Sequence, residues 1–274
     1  MRLSIVHRTA YHYDAAISFG IQYLRLTPYA NASQRAIRWN IEAPGTLTRW
    51  VDAFGNQCDT LILDRPGERI EIAAEGEVET SDTAGVLPDE QGTVPVETYL
   101  RPTPLTAADE AIADFAAPFA DAVAADRLDA VHRISAAIRD RIDYREGSTD
   151  VQSSASEALQ SGVGVCQDHS HVFIAVCRAL GIPARYVGGY LHVPEQHEPA
   201  TAGHAWAAAW VDGLGWVSFD VANRTCGTEC YVGTAIGLDY ESACPIRGVR
   251  EGGEEGERLT VSVRVEERRR RGAS

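Results

Sequence analysis

The chain has 274 residues, 45% of them apolar, and a formal net charge of −14. That composition excludes a disordered chain and suffices for one large domain or two modest ones. The acidity argues against non-specific binding to nucleic acid or to an anionic membrane, so neither partner is expected. All 25 basic residues are arginines, so no lysine side chain of this chain can serve as an amine donor.

The opening stretch M-R-L-S-I-V-H-R-T-A-Y-H-Y alternates and lacks the apolar run of a signal peptide. No segment is long and apolar enough to span a bilayer as a helix. Six cysteines (Cys58, Cys166, Cys177, Cys226, Cys230, Cys244) are too few for a disulfide scaffold of this size, so a reducing, cytoplasmic setting is expected.

From Met1 to about Thr80 the pattern is that of strands. Leu3, Ile5, His7, Tyr11 and Tyr13 share odd positions, and Ile37, Trp39 and Ile41 alternate with polar residues. Pro44-Gly45, Gly55-Asn56 and Pro66-Gly67 supply turns. Several short strands at this spacing predict an antiparallel β-sandwich over 1–82. Residues 83–104, rich in Pro, Gly and Thr, read as a linker. Helical sequence follows, with Thr106 and Asp109 as N-cap residues, then an apolar face of Leu128, Val131, Ile134, Ile138 and Ile142 over Arg127–Ile142, and a short helix near Ser154–Leu159.

The stretch Gly162–Leu180, G-V-G-V-C-Q-D-H-S-H-V-F-I-A-V-C-R-A-L, brings Cys166 through a glycine-rich approach to a helix start. The positive end of a helix macrodipole favours a thiolate there. Helical spacing puts His169 with Val172, Phe173 and Val176, as a hydrogen-bonded core histidine, and puts His171 with Ala175 and Arg178 on an exposed face. Cys177 reads as a small buried hydrophobe. Strands then recur at Arg185–Val193, His204–Val211 and Trp216–Val221, with Gly213-Leu214-Gly215 as a hairpin turn. Val232–Leu238 and Leu259–Val265 read as two more, before a basic tail over 267–274.

His204 begins one hairpin strand and Asp220 ends the other. A carboxylate holding a general base beside a thiol is the generalised nucleophilic triad, with Cys166 as nucleophile, His204 as base and Asp220 orienting the imidazole. Tyr144 and Trp206 are candidate substrate-binding aromatics, and the backbone N–H of Cys166 is a natural oxyanion donor. Cys226 and Cys230 form a C-x3-C pair with no second pair to complete four ligands, so no metal is expected.

G-V-C-Q-D-H-S-H-V-F, R-A-L-G-I-P-A-R-Y-V-G-G-Y, G-H-A-W and G-W-V-S-F-D together resemble the transglutaminase-like superfamily, whose papain-like core carries Cys, His and Asp in this order. H-R-T-A-Y-H-Y, L-R-L-T-P and D-A-F-G-N resemble the N-terminal β-domain of bacterial members. The resemblance implies an α+β protein, a β-sandwich followed by a papain-like transglutaminase core over 105–266, and the triad Cys166, His204 and Asp220. Asp168 recurs in the family's motif as a brace. One departure is Val221-Ala222-Asn223 after Asp220, where the family has Pro and then Thr or a similar residue.

The activity implied is cofactor-free acyl transfer at an amide through a thioester, with hydrolysis of a peptide or protein substrate preferred. The alternatives are a transglutaminase passing the acyl group to a primary amine, and a non-catalytic peptide-binding scaffold. An arylamine N-acetyltransferase shares the triad order but expects Arg shortly before its cysteine and Phe-Glu shortly after. Oligomeric state is left open.

Overall fold

The computed structural model describes residues 1–65, 67–87, 94–194, 198–253 and 256–268. The expected turn residue Pro66, part of the connector and most of the basic tail lie outside the described residues.

The N-terminal part is built on one long strand. β1 (Arg2–Leu24) is followed by β2 (Gln34–Glu42), β3 (Thr46–Val51), β4 (Gln57–Leu63) and β5 (Gly67–Thr80), all antiparallel in the order β2-β5-β1-β4-β3. The first half of β1 pairs with β5 and its last residues with β4, with an irregularity between His12 and Ile17. The sheet therefore curls over itself. Its two halves pack on Ile17, Leu24, Ile41, Leu61, Leu63, Ile70 and Ile72, which gives the sandwich-like core expected. The alternation in β2 is interrupted by a register shift between Ala36 and Arg38, which leaves Ile37 exposed while Ile41 is buried.

The connector is stitched into the rest. β6 (Val86–Leu87) pairs with a later strand, and a 3₁₀ turn over Val96–Leu100 buries Tyr99. The helices follow: α1 (Glu110–Ala116), α2 (Ala120–Ala125), α3 (Arg127–Arg141), then β7 (Asp143–Tyr144), α4 (Ala155–Ser161), β8 (Val163–Gly164) and α5 (Cys166–Ala179). Asp109 caps α1 by accepting from the Ile112 N–H, and Ser154 with Glu157 forms a capping box on α4. β9 (Ala184–Leu191), β10 (His204–Val211), β11 (Gly215–Phe219) and β12 (Tyr231–Gly237) complete an antiparallel sheet of order β12-β9-β10-β11-β6. A short α6 (Tyr240–Ala243) leads to β13 (Ile246–Gly252) and β14 (Glu257–Glu267).

These last two strands pair with β1, so residues 246–267 complete the N-terminal sheet although the sequence groups nearly all of them with the catalytic core. Periodicity reports that a segment is a strand and not which sheet it joins.

α5 is the axis of the core. It packs against α1, α3 and α4 on one side and β9 and β10 on the other. Residues 167–177 are all buried. A helix buried all round has no exposed face, which is why helical spacing misplaces His171. His171 is fully buried, its Nε2 accepts from the Tyr240 N–H at 3.1 Å, and burial lowers its pKa to about 4. Arg178, grouped by spacing with the exposed face, donates to the carbonyls of Tyr99, Ala184 and Leu238 and to Thr106 Oγ1 at 2.6–2.9 Å. It ties α5 to the connector, to the start of β9 and to the end of β12.

The two sheets meet where Leu3 and Ile5 of β1 pack on Tyr190 and Val232. β12 is the edge strand there, and an edge strand has unpaired backbone groups. Two side-chain amides of the N-terminal part fill that role. Gln34 accepts from the Gly233 N–H and donates to its carbonyl, both at 2.7 Å, and Asn56 does the same at Ile236, both at 2.7 Å. Among the described residues no helix is long and apolar enough to cross a membrane.

Candidate active site

Cys166 is the first residue of α5, reached from the αL turn at Gly162 (φ +70°) through β8. Asp168 fixes this turn. Its Oδ2 accepts from the Val165 N–H at 2.7 Å and from Thr149 Oγ1 at 2.6 Å. A Cβ at Gly164 would lie 2.6 Å from that of Asp168, so the approach to the cysteine requires glycine. Asp168 thus braces the loop, and burial raises its pKa in spite of these bonds. His169 is the core histidine expected: its ring nitrogens lie 2.8 Å from the Val165 carbonyl and 3.1 Å from that of Ile142.

His204 starts β10, and Asp220 follows β11 across the hairpin. Their side chains meet, Nε2 to Oδ2, at 2.6 Å. With Nε2 engaged, Nδ1 is the nitrogen left for Cys166, which interacts with this imidazole through hydrogen bonding and charge. Burial works against a charge on His204, but Asp220 and Cys166 together outweigh it and raise its pKa to about 10. Asp220 is completely buried. Burial pushes its pKa up, and the bonds from His204, Asn223 and Tyr231 more than reverse this, leaving it below the usual carboxylate value.

Sequence reasoning missed those last two residues. Asn223 donates its side-chain amide to Oδ2 at 2.7 Å and its backbone N–H to Oδ1 at 3.2 Å, and Tyr231 donates its hydroxyl to Oδ2 at 2.8 Å. A polar residue three positions after an aspartate is the spacing of a tight turn closed on the Asp side chain, the signal that would have found Asn223. The segment after Asp220, where the chain departs from the family pattern, is that turn: Asp220 and Thr225 exchange backbone hydrogen bonds, and Arg224 has φ +55°.

Cys166 and His204 together line two spaces. One is an open groove of about 790 Å³ bordered by Tyr144, Glu146, Val193, Glu198, Asn223 and the end of β14. The other is a cavity of about 350 Å³ between β9 and β10 on one side and β1 and β14 on the other. Tyr144 is 44% exposed and borders the groove. Trp206 does not line either space. It is 5% exposed, buried with Val187, Trp216 and Tyr231, and stacks at 6.1 Å on His204. Alternation along β10 sends its side chain into that cluster, where it supports the histidine. Cys226 and Cys230 are half-buried, separate thiols.

Residues 114–221 match the core of the transglutaminase-like superfamily, and residues 3–79 match the bacterial transglutaminase-like N-terminal region. The chain belongs to the transglutaminase-like superfamily. Uncharacterized protein ML0607 of Mycobacterium leprae is 31% identical over 275 residues, which cover 92% of this chain and 94% of that relative. Rv2569c of Mycobacterium tuberculosis, also uncharacterized, is 28% identical over 291 residues, 96% of this chain and 92% of its own. Among solved structures, a candidate cysteine protease from Cytophaga hutchinsonii superposes with a TM-score of 0.72 at 21% identity, over 97% of this chain and 90% of that one. That likeness is one of fold, and it extends across both sheets of this transglutaminase-like chain.

The His204–Asp220 pair makes the pH dependence of stability predictable. The folded pKa of His204 lies above 6.5, so its contribution is full below pH 6.5 and fades as pH rises through about 10. Asp220, held below 3.8, contributes above that pH and loses its effect as acid protonates it. Thermal unfolding followed from pH 6.5 to 10 is expected to show a falling midpoint, with a shallower fall in His204→Ala. Parallel curves for the two proteins would contradict the pairing.

Proposed function

We propose that this protein cleaves amide bonds by thiol-dependent acyl transfer, with Cys166 as nucleophile, His204 as acid and base, and water as the acceptor. The observation that carries the reading is the buried Asp220 carboxylate on His204 Nε2, which turns Nδ1 toward a cysteine at a helix N-terminus.

The steps use only these groups. The Cys166 thiolate attacks the carbonyl carbon, forming an S–C bond. The backbone N–H of Cys166, at a helix position with no intrahelical acceptor, faces the developing oxyanion. The His204 imidazolium gives its proton to the amide nitrogen, the C–N bond breaks, and the amine leaves. Neutral His204 then takes a proton from water as the oxygen attacks the thioester. The S–C bond breaks, releasing a carboxylic acid and restoring the thiolate. Asp220 holds the ring throughout and stabilises the imidazolium.

The breadth of the groove beside Cys166 favours water as acceptor. The transglutaminase reading keeps one observation of its own: Glu146, Glu198 and Glu266 border that groove, against Arg264 and His204 as the basic groups among its described lining, and a cationic amine would be drawn to the acidic rim. Glutamine peptides incubated with and without a primary amine separate the two. Peptide cleavage or ammonia release that added amine leaves unchanged supports hydrolysis. Stoichiometric amine incorporation would replace it with transfer to amines. Loss of both in Cys166→Ala ties either activity to the thiol, whereas persistence would reject this function.

A further inference from the structure

We propose that the 350 Å³ cavity behind Cys166 and His204 is a specificity pocket for a bulky uncharged side chain, aromatic or long aliphatic, adjacent to the scissile amide, and that Gly188 sets its size. The inference rests on the acyl-transfer reading and adds the substrate class.

Three observations carry it. The cavity is continuous with the reacting atoms, since Cys166 and His204 are part of its wall, and its volume lies in the range of small ligand sites. Its described lining holds no Asp, Glu or Arg, in a protein where 23% of residues are charged. Leu26, Ile246 and Val261 supply apolar wall. The buried polar side chains of the N-terminal wall, His7 and Thr9, are partnered: the His7 ring nitrogens lie 3.0 Å from Tyr190 Oη and 3.0 Å from Thr9 Oγ1, and burial lowers the His7 pKa to about 4. Apart from the Cys166–His204 pair at its mouth, this described wall carries no charged partner for a charged side chain, which would lose its hydration without compensation.

The space exists because a side chain is missing from β9. Tyr186, Gly188 and Tyr190 alternate onto the same strand face, and all three line the cavity. The cross-strand partners of Gly188 are Ala205 and Ala235, both small. A Cβ at Gly188 would meet the Ala243 carbonyl at 3.6 Å and Tyr186 at 3.7 Å, ordinary contacts, and the backbone is not in the left-handed region. Nothing local demands glycine there. Gly189 differs, since a Cβ would lie 2.0 Å from the Val232 carbonyl oxygen. The opposite wall comes from Thr9 and Tyr11 of β1 and Leu259 and Val261 of β14, so the N-terminal sheet is itself part of the substrate site.

The test uses three iodoacetamides, unsubstituted, N-(2-phenylethyl) and N-(2-carboxyethyl), each rate at Cys166 divided by its rate with free cysteine. In the unmodified protein the phenylethyl reagent is expected to label Cys166 on the order of tenfold faster than the unsubstituted one, and the carboxyethyl reagent slower than both. In Gly188→Leu the aromatic-to-unsubstituted ratio is expected to fall to about one, with Gly188→Ala between. Equal normalised rates for the aromatic and carboxylate reagents in the unmodified protein would overturn the pocket, as would an unchanged ratio in Gly188→Leu with an unaltered thermal midpoint. If Gly188→Leu does not fold, the unmodified protein and Gly188→Ala decide. A different result, unsubstituted iodoacetamide labelling Cys166 no faster than Cys226, overturns the acyl-transfer reading instead.

Discussion

Asp220→Asn is expected to lower kcat/KM for amide cleavage by about 10⁴, the scale of losing the orienting carboxylate in a nucleophile–imidazole–carboxylate triad. The reason lies in the donor count. Asp220 accepts from His204, from the Asn223 and Tyr231 side chains and from the Asn223 backbone, and it has no donor to give back. Asparagine has one acceptor oxygen, so its NH₂ must face an N–H or O–H donor or turn toward His204. In the second case Nε2 becomes the acceptor and Nδ1 carries the proton, so the neutral ring cannot act as base toward water at the thioester. In the first case buried donors lose their partner, at a cost of about 1–3 kcal/mol in stability. Steady-state kinetics on the peptide substrate with a parallel denaturation curve separates the effects. A loss below tenfold with normal folding would show that Asp220 does not orient the base.

Asn56→Ala is expected to destabilise the fold by about 2–5 kcal/mol. Asn56 is fully buried and serves both backbone groups of Ile236 while donating to Asp52 Oδ2 at 3.0 Å. Alanine strands an N–H, a C=O and part of a carboxylate, each costing about 1–3 kcal/mol when left unpaired, with some relief from relaxation. The effect reaches the site because β12 also carries Tyr231, which holds Asp220. Urea denaturation measures the stability loss. A change under 1 kcal/mol would mean that water replaces the amide and that β12 is not clipped by the N-terminal part.

Local signals made much of this architecture legible. The strand alternation of 1–80, the cap at Asp109, the short helix near Ser154–Leu159 and the turn at Gly213 all depend on neighbours in sequence, and the structure has each of them. Cys166, His204 and Asp220 were readable because each lies in a short motif at the end of an element. What failed depends on distant contacts. Spacing groups His171 and Arg178 on an exposed face because it gives a helix faces and not how many of them are covered. Residues 246–266 read from sequence as part of the catalytic core, and their pairing with β1 is not legible because it spans nearly the whole chain. Asn56 was visible in D-A-F-G-N only as a turn residue, since its partner Ile236 is 180 residues away. The cavity has no sequence signature, because Gly188 is conspicuous only between two tyrosines on the same strand face.

The central claim is that Cys166 is a nucleophile paired with His204. Its most direct test is site-resolved alkylation with iodoacetamide at mildly acidic pH, read by mass spectrometry on the native protein and on His204→Ala. Cys226 is the internal reference, a half-buried thiol whose pKa burial raises. The expected result is that Cys166 is labelled well before Cys226 and that His204→Ala abolishes the preference. Equal labelling of the two cysteines, or a preference that survives the loss of His204, would contradict the account.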